Sequence, residues 1–562
     1  MKSKKFWYLI LGLIVIALIL AFKFAKPMLR SYFSDEFYVR SSEPVVGLID
    51  MADSSKNTTS LSIKHCTVVW KNTARWFNKA PLEKAIHDSD VLITIETWLK
   101  GGAANDNILA AMLSGIFDKK IAELGALVSQ SNHAIYIRWA PDMEVPVYVY
   151  PWQFQSPQQY IQAFNYFAKK IKSYAPHVKI VWGPAGYPGD TEYWPGNKEV
   201  DLVSISLGSA SEYASDKYPI AKTIPEMLKR KLHRLRFINK PVLILGSWNI
   251  GKNNFNQNLL AEQAAFMNRY RTTIYSPENY VDSGKVKPAR EQLKIGVFDF
   301  NKKMLDQPQI TIEHIFTDLG EVERGDFENK FHEITKRHRD VILTLEPWRD
   351  TAHVADSNVC EKILAGKFDR EFRKLFKILA TTQQTVYLRF MHEMEIPIHR
   401  YAWQSQDPVT YINAYRYFMQ FEGGPGKNVK KVWGPAGDRG SIDFWPGDDV
   451  VDFISIAIYG LADKNITDPN QQEEFNNIFN RKFYRMRFSD KPLFITEFGV
   501  KGSEQYQDQW LALAAKTINS NPSVFGISYF NLYDNPKAWG NIKAPDWSIT
   551  PQSMKKFCSL LK

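Results

Sequence analysis

Short apolar runs rich in β-branched and aromatic residues recur along the C-terminal half of the chain: IGVFDF from Ile295, IEHIFT from Ile312, VILTLE from Val341 and VYLRF from Val386. KKVWGP from Lys430, VDFISIAIY from Val451, PLFITEFG from Pro492 and FGISYFN from Phe525 complete the series. Runs of this length and content predict strands. Between them lie stretches such as DPVTYINAYRYFMQ from Asp407, whose apolar residues return at three- and four-residue intervals and predict helices. Strands and helices in strict alternation predict a parallel sheet closed into a (β/α)8 barrel. The N-terminal half repeats the order from PVVGLID at Pro44 through VLITIE at Val91 to VLILG at Val242, with a weakly written last strand near TTIYSPE at Thr272.

The repetition extends to residue identity. IYIRWAPDMEVP from Ile135 returns as VYLRFMHEMEIP from Val386, so that Arg138 pairs with Arg389, 251 positions further on. At the same offset VWGPAG recurs from Val181 at Val432, YWPG from Tyr193 as FWPG at Phe444, and KPVLILG from Lys240 as KPLFITE at Lys491. A constant offset over such a span means two whole domains, and a unit of about 250 residues is the size of one barrel. The expected organisation of the 562 residues is two tandem (β/α)8 TIM barrels after an N-terminal transmembrane helix. Residues 1–30 form a cytoplasmic tip and signal-anchor, 31–43 a linker, 44–290 a degenerate, non-catalytic barrel and 291–562 a catalytic one. The stretch VDSGKVKPAREQ from Val281 joins the barrels.

The anchor is read from FWYLILGLIVIALILAF, Phe6–Phe22, an unbroken apolar run at the short end of the roughly 17 to 25 residues a membrane helix needs. Lys2, Lys4 and Lys5 precede it, Lys23, Lys26 and Arg30 follow it, and no small-x-small cleavage site lies just beyond it, which favours a retained anchor over a cleaved signal peptide. An apolar N-terminal segment is normally an export signal, so the barrels are expected on the extracytoplasmic side of a cell membrane. Cys66, Cys360 and Cys558 have neither disulfide-framework nor metal-ligand spacing. The formal net charge of +11 is spread along the chain without the concentrated basic stripe that nucleic acid would need. No Gly-rich phosphate loop follows any strand. No cofactor or metal is expected; the expected partners are a polysaccharide and, through the N-terminal helix, a membrane.

The chemistry gathers at strand ends. With VYLRF as the fourth strand of the second copy, His392 and Glu393 lie just past its C-terminal end, and Glu497 ends the seventh strand; the C-terminal rim is where barrel enzymes gather catalytic groups. Two carboxyl groups meeting across that rim are what hydrolysis of a glycosidic bond requires, one delivering a proton to the leaving oxygen and the other attacking or supporting the sugar cation. An isolated rim glutamate would more often be an ordinary solvated residue, but both of these sit in apolar surroundings crowded by aromatic side chains. In the first copy Glu393 is matched by Asp142, Glu497 by Gly246, His392 by Pro141 and Tyr459 by Gly208. A glycine has no side chain to attack with, so the first copy reads as a retired duplicate, either a glycan-binding module or an architectural spacer.

With His392, Glu393 and Met394 behind Arg389, the stretch Trp445–Asp448 followed by Val451, Asp452 and Tyr459, and ITEFG from Ile495, the second copy resembles glycoside hydrolase family 26, best known for β-mannanases with some β-glucanases and β-xylanases. The resemblance implies Glu393 as general acid/base, Glu497 as nucleophile, retention at the anomeric carbon and no metal, with His392 and Tyr459 holding substrate and orienting the nucleophile. Members of that family often carry Asn-Gly after the His-Glu-Met, whereas this chain has Glu395 and Ile396, so mannan is not implied as the substrate. Glu395 recurs as Glu144 and reads as structural in both copies or as a substrate contact.

Other candidates carry two readings each. Arg389 either keeps the nucleophile ionised or, since Arg138 persists in the first copy, forms an interior ion pair. Trp433 and Trp445 either stack on sugar or, like Trp182 and Trp194, pack in the core; Trp539 and Trp547 lack clear counterparts and are the better platform candidates. The expected function is a membrane-anchored retaining glycoside hydrolase of the endo-β-mannanase or β-glucanase type. The competing readings are a non-catalytic glycan-binding or exopolysaccharide export and assembly component, and a transglycosylase using the same residues.

Overall fold

The computed structural model describes residues 39–41, 45–51, 56–59, 61–71, 80–99, 106–207, 223–246, 257–275, 285–349, 358–397, 400–404, 406–461, 471–536, 539 and 543–562. The apolar run Phe6–Phe22 lies outside them, as do Gly208 and Trp248; among the described residues no helix is long and apolar enough to cross a membrane. The chain divides into two compact units, Met1–Ala214 with Lys240–Ala264, and Ser215–Asn239 with Ala265–Lys562.

The sheet of the first unit contains β1 (Val39–Ser41), β2 (Val45–Asp50), β3 (Thr58–Thr59), β4 (Lys64–Lys71), β5 (Val91–Trp98), β6 (Ile135–Trp139), β7 (Lys179–Trp182), β8 (Leu202–Leu207) and β9 (Pro241–Gly246). Strands β4 to β9 run parallel in sequence order, as in a barrel. The expected closure into a second (β/α)8 barrel does not occur among the described residues. The order is β1-β4-β5-β6-β7-β8-β9-β2-β3, and β2 runs antiparallel to β9 instead of parallel to an eighth strand. The described part of the stretch at Thr272, as far as Tyr275, is not a strand. Thr273 and Ile274 donate their N–H groups back to the Tyr270 carbonyl in a tight turn, a local bonding that two threonines and a single isoleucine do not outweigh.

The second unit holds the closed barrel: β10 (Lys294–Phe298), β11 (Ile312–Asp318), β12 (Asp340–Glu346), β13 (Val386–Phe390), β14 (Val429–Trp433), β15 (Phe453–Tyr459), β16 (Leu493–Gly499) and β17 (Val524–Phe530). All neighbouring pairs are parallel, and β17 closes the ring on β10 from Lys294↔Gly526 to Phe298↔Phe530. Inward positions alternate along each strand, and three layers result. At the base, Ile312, Ile342, Tyr387, Val432 and Phe494 form one buried apolar cluster with Phe453 and Phe525 packed on it. Two residues further on, the inward positions become His314, Thr344, Arg389, Ser455 and Thr496, all at most 3 % exposed. Two further still are Phe316, Glu346, Ala436 and Ala457, which line an open cleft. An apolar plug thus supports a polar layer, which supports the floor of the site.

The expected linker after Val281 is not slack where it is described. Lys287 is 8 % exposed and donates from Nζ to the carbonyls of Ser489 at 2.6 Å and Lys491 at 2.9 Å. The Arg290 guanidinium donates to the carbonyls of Asn521 and Val524. The helix Ile224–Arg234, from the first sequence repeat, also belongs to the second unit. His233 donates from Nε2 to the Asp443 carbonyl at 2.6 Å and Arg236 donates to the Ile442 carbonyl at 2.5 Å. Tyr275 lies 3.2 Å from the other His233 ring nitrogen, and with Nε2 engaged as the donor that nitrogen accepts from the hydroxyl.

Candidate active site

The cleft at the C-terminal rim of the barrel encloses about 460 Å³ and is lined by Glu393, Glu497, Glu346, Tyr459 and Trp539 among others. Glu393 follows β13, the fourth barrel strand, and takes a left-handed backbone conformation with φ 54°, as does Met391 with φ 49°. Hydrogen bonds to its backbone hold this unusual turn. The Glu393 N–H donates to the Gly434 carbonyl at 2.8 Å, and Gln404 donates to the Glu393 carbonyl at 3.0 Å. Tyr411 donates to the Met391 carbonyl at 2.9 Å, and Trp403 to that of His392 at 2.6 Å. The first repeat keeps the same turn, with φ 47° at Ala140 and 57° at Asp142 and with Gln153 and Trp152 as donors. The turn is therefore architectural, and the carboxyl it presents is what differs.

Glu497 reaches the cleft through a bulge. In the pairing of β15 with β16, Ile456 faces Ile495 but Ala457 faces Glu497, so Thr496 is the extra residue. The bulge shifts the alternation by one, turning Glu497 into the cleft while Phe498 packs outward against Phe475 and Phe557. The first repeat pairs Ile205 with Ile244, Ser206 with Leu245 and Leu207 with Gly246 in unbroken register. It has lost the bulge along with the glutamate.

Both Glu497 oxygens are held: Arg389 donates to Oε1 and Tyr459 donates to Oε2 at 2.8 Å. Burial alone would push this carboxyl up, but the Arg389 guanidinium outweighs it and brings it down to about 2. Glu393 goes the other way. Burial and the negative charge of Glu497 push it up to about 7. At neutral pH one carboxyl of the pair is ionised and the other holds a proton for about half the time.

Arg389 itself is fully buried in the polar layer, beneath the cleft rather than in it. A Cβ on Gly434 would stand 2.5 Å from Arg389 Nε, so the glycine makes room for the guanidinium. The first repeat keeps the same support. His65 is 2.7 Å from Thr94, as His314 is 2.8 Å from Thr344. Arg138 donates to the hydroxyls of Thr94 at 2.9 Å and Ser204 at 3.2 Å.

Several sequence-based expectations are corrected. Trp433 and Trp445 do not line the cleft; they are 0 % and 3 % exposed and pack edge to face with ring centroids 5.0 Å apart, just as Trp182 and Trp194 do at 5.2 Å. His392 is 1 % exposed and lies behind the cleft wall, its ring among Phe316, Tyr401 and Trp403, so it does not face substrate space. Burial holds it neutral. Trp539 and Tyr459 do line the cleft, joined by Trp547, whose ring packs 4.7 Å from that of Tyr459. Glu395 lies elsewhere. It accepts from the N–H groups of Gly437 and Asp438 at 2.9 and 3.0 Å and from the Ser441 hydroxyl, and Glu144 likewise accepts from Tyr187, so the structural reading of this pair holds.

Glu346, Arg400 and Tyr401 line the cleft without having been singled out from sequence. Glu346 was legible in one respect, since it ends VILTLE as Glu96 ends VLITIE. The three cysteines are buried and unpaired, and no cluster of metal-binding side chains occurs among the described residues.

No protein-family model matches the chain. It is similar to a β-1,3-xylanase from an Alcaligenes species, 25 % identical over 170 residues that make up 29 % of this chain and 31 % of that protein. A β-1,3-xylanase from a Vibrio species is 26 % identical over 172 residues, covering 29 % and 32 % of the two chains. The chain thus spans about a third of the length of these curated relatives. Among solved structures, a double mutant of the Cellulomonas fimi endo-β-1,4-mannanase aligns over 48 % of this chain and 71 % of its own, with 13 % identity and a TM-score of 0.34, a superposition too loose to carry argument.

Proposed function

We propose that this chain is a retaining glycoside hydrolase that cleaves a β-linked polysaccharide, with Glu393 as general acid/base and Glu497 as nucleophile. The observation that carries the reading is the cleft into which Glu393 and Glu497 open from the fourth and seventh barrel strands, with burial and Glu497 pushing the first carboxyl up and Arg389 holding the second down. Protonated Glu393 gives its proton to the glycosidic oxygen while ionised Glu497 attacks the anomeric carbon. The leaving sugar departs as an alcohol and a glycosyl ester forms on Glu497. Water then attacks the same carbon, Glu393 takes its proton, and Glu497 leaves as a carboxylate, so that two inversions give net retention. Tyr459 and Arg389 hold the Glu497 oxygens in place. The names of the relatives, both xylanases acting on β-1,3 linkages, lend support and widen the substrates to be tried.

The finer reading, membership of glycoside hydrolase family 26, rests on the motif resemblance. The apolar run Phe6–Phe22 with its flanking lysines supports a membrane anchor and barrels on the extracytoplasmic side. The first unit is proposed to be non-catalytic, since Gly246 and the unbroken register of β9 leave it no nucleophile. The test is a screen of soluble protein lacking residues 1–30 against β-mannans, mixed-linkage β-glucan and β-1,3- and β-1,4-xylans. Cleavage of one of these by the parent, abolished in Glu497→Ala, is expected. Equal binding of a glycan by parent and Glu497→Ala, with no cleavage by either, would replace the hydrolase by a binding module.

A further inference from the structure

The proposed chemistry uses two carboxyls, yet a third opens into the same cleft. Glu346 ends β12, the third barrel strand, directly beside the strand that carries Glu393. It occupies the cleft-lining layer one inward position above Thr344, which accepts from Arg389 beside it in the polar layer. Its side chain is 16 % exposed, and the His392 ring stands with Nε2 at 4.0 Å from its carboxyl. That distance is too long for a hydrogen bond. Among the described residues, no hydrogen bond to the Glu346 carboxyl is present. Its oxygens open into the cleft, so they are available there to a ligand.

We infer that Glu346 binds the sugar held between Glu393 and Glu497, and is a determinant of which β-linked sugar the cleft accepts. The inference rests on the hydrolase reading above. A sugar carries a hydroxyl on nearly every ring carbon and meets the missing hydrogen bonds with donor and acceptor alike. Burial, with Asp318 and Glu497 nearby, pushes the Glu346 carboxyl up to about 8. The groups facing it are Asp318, Glu497 and Glu393, which favour its neutral form, and Arg389, which opposes them; His392 is neutral. Around neutrality Glu346 therefore presents an O–H donor as well as a carbonyl acceptor, which an ionised carboxylate does not. This separates its role from that of Glu497, which must be ionised, and from that of Glu393, which must cycle.

The sign of the pH dependence follows. Substrate capture needs the proton on Glu346 and the first chemical step needs the proton on Glu393, so kcat/KM falls as pH rises through both. Its logarithm should reach a slope of about −2 above the two titrations. Glu346→Gln keeps a neutral donor and acceptor of the same size, and should hold kcat/KM within about threefold at pH 6 while reducing the high-pH slope to about −1. Glu346→Ala should lose about tenfold or more in kcat/KM, the size of one unmade hydrogen bond, and should alter the relative rates on mannan, glucan and xylan. An unchanged slope in Glu346→Gln, or an Ala variant of normal melting temperature with the parent's rates and preferences, would overturn the assignment. If Glu346→Ala does not fold, Glu346→Gln decides through the slope alone. Where the parent binds a glycan without cleaving it, the hydrolase reading fails separately, and calorimetry of Glu346→Gln and Glu346→Ala with that glycan decides this one: weaker binding in Ala alone supports it, equal binding in all three overturns it. A parent that neither cleaves nor binds any of these polymers overturns both.

Discussion

Tyr459 and Arg389 divide the two oxygens of Glu497 between them, and the value of each can be separated. Tyr459→Phe keeps the ring against Trp547 and removes only the hydroxyl, a hydrogen bond to an ionised group of about 1.5–3 kcal/mol. A loss of roughly tenfold to a hundredfold in kcat/KM is expected, without a matching fall in melting temperature. Unchanged kinetics would mean that the hydroxyl does not serve the reaction. For Glu393, pushed up to about 7, the acid form is present below that pH and lost above it, so activity should decline on the alkaline side. The acid limb belongs to Glu497 near 2, below the range in which kinetics would be run. With an activated aryl glycoside, which needs little proton donation, Glu393→Gln should retain its first step far better than on polymer. His392, Glu393, Tyr459 and Glu497 were all legible from comparing one repeat with the other. That comparison could not say which of them face the cleft, because burial behind a wall and exposure on it leave the same trace in sequence. Trp433 and Trp445 show the converse error, since aromatic content alone does not distinguish a platform from a core.

At the level of elements, the site depends on two local departures from regular geometry. The bulge at Thr496 puts Glu497 into the cleft, and the left-handed turn at Met391 and Glu393 presents the second carboxyl across from it. Every barrel strand was legible as an apolar run, and the three inward layers could have been read as well: I-x-H-x-F, I-x-T-x-E and Y-x-R each begin apolar and turn polar toward the rim. The bulge was not legible, because ITEFG and ILGSW differ by composition rather than by length, and a register shift inside a strand leaves no gap in the repeat. Gly434 offers a test of how tightly the polar layer is built. Gly434→Ala would place its Cβ 2.5 Å from Nε and 2.7 Å from Cγ of the fully buried Arg389. Overpacking of this kind costs about 1–3 kcal/mol, and displacement of the guanidinium should release Glu497 from its low pKa. A lower melting temperature and an acid limb that moves up into the measurable range are the expected results; a variant with parental stability and pH profile would mean that Arg389 has room to move.

Over the whole molecule, the two halves have kept the same interior and parted at the rim. The His65–Thr94 contact, Arg138 and the left-handed turn at Asp142 persist where no chemistry is proposed, since they support the fold. Asp142→Ala in the full chain should therefore leave hydrolysis unchanged, and a fall in kcat comparable to that of Glu393→Ala would give the first repeat a catalytic part. Sequence periodicity located the repeat but not the compact units, because the helix Ile224–Arg234 belongs to one repeat by sequence and to the other unit by contact. Arg236, 4 % exposed, donates to Ile442 there, and Arg236→Ala should lower the melting temperature of the unit that holds the barrel. The central claim is that Glu497 carries the sugar between two displacements. Incubation with a 2-deoxy-2-fluoro glycoside bearing a good leaving group, followed by peptide mass spectrometry, measures it directly: the account predicts a single glycosyl adduct on Glu497, and an adduct on Glu393, or none while the parent substrate is still cleaved, would contradict it.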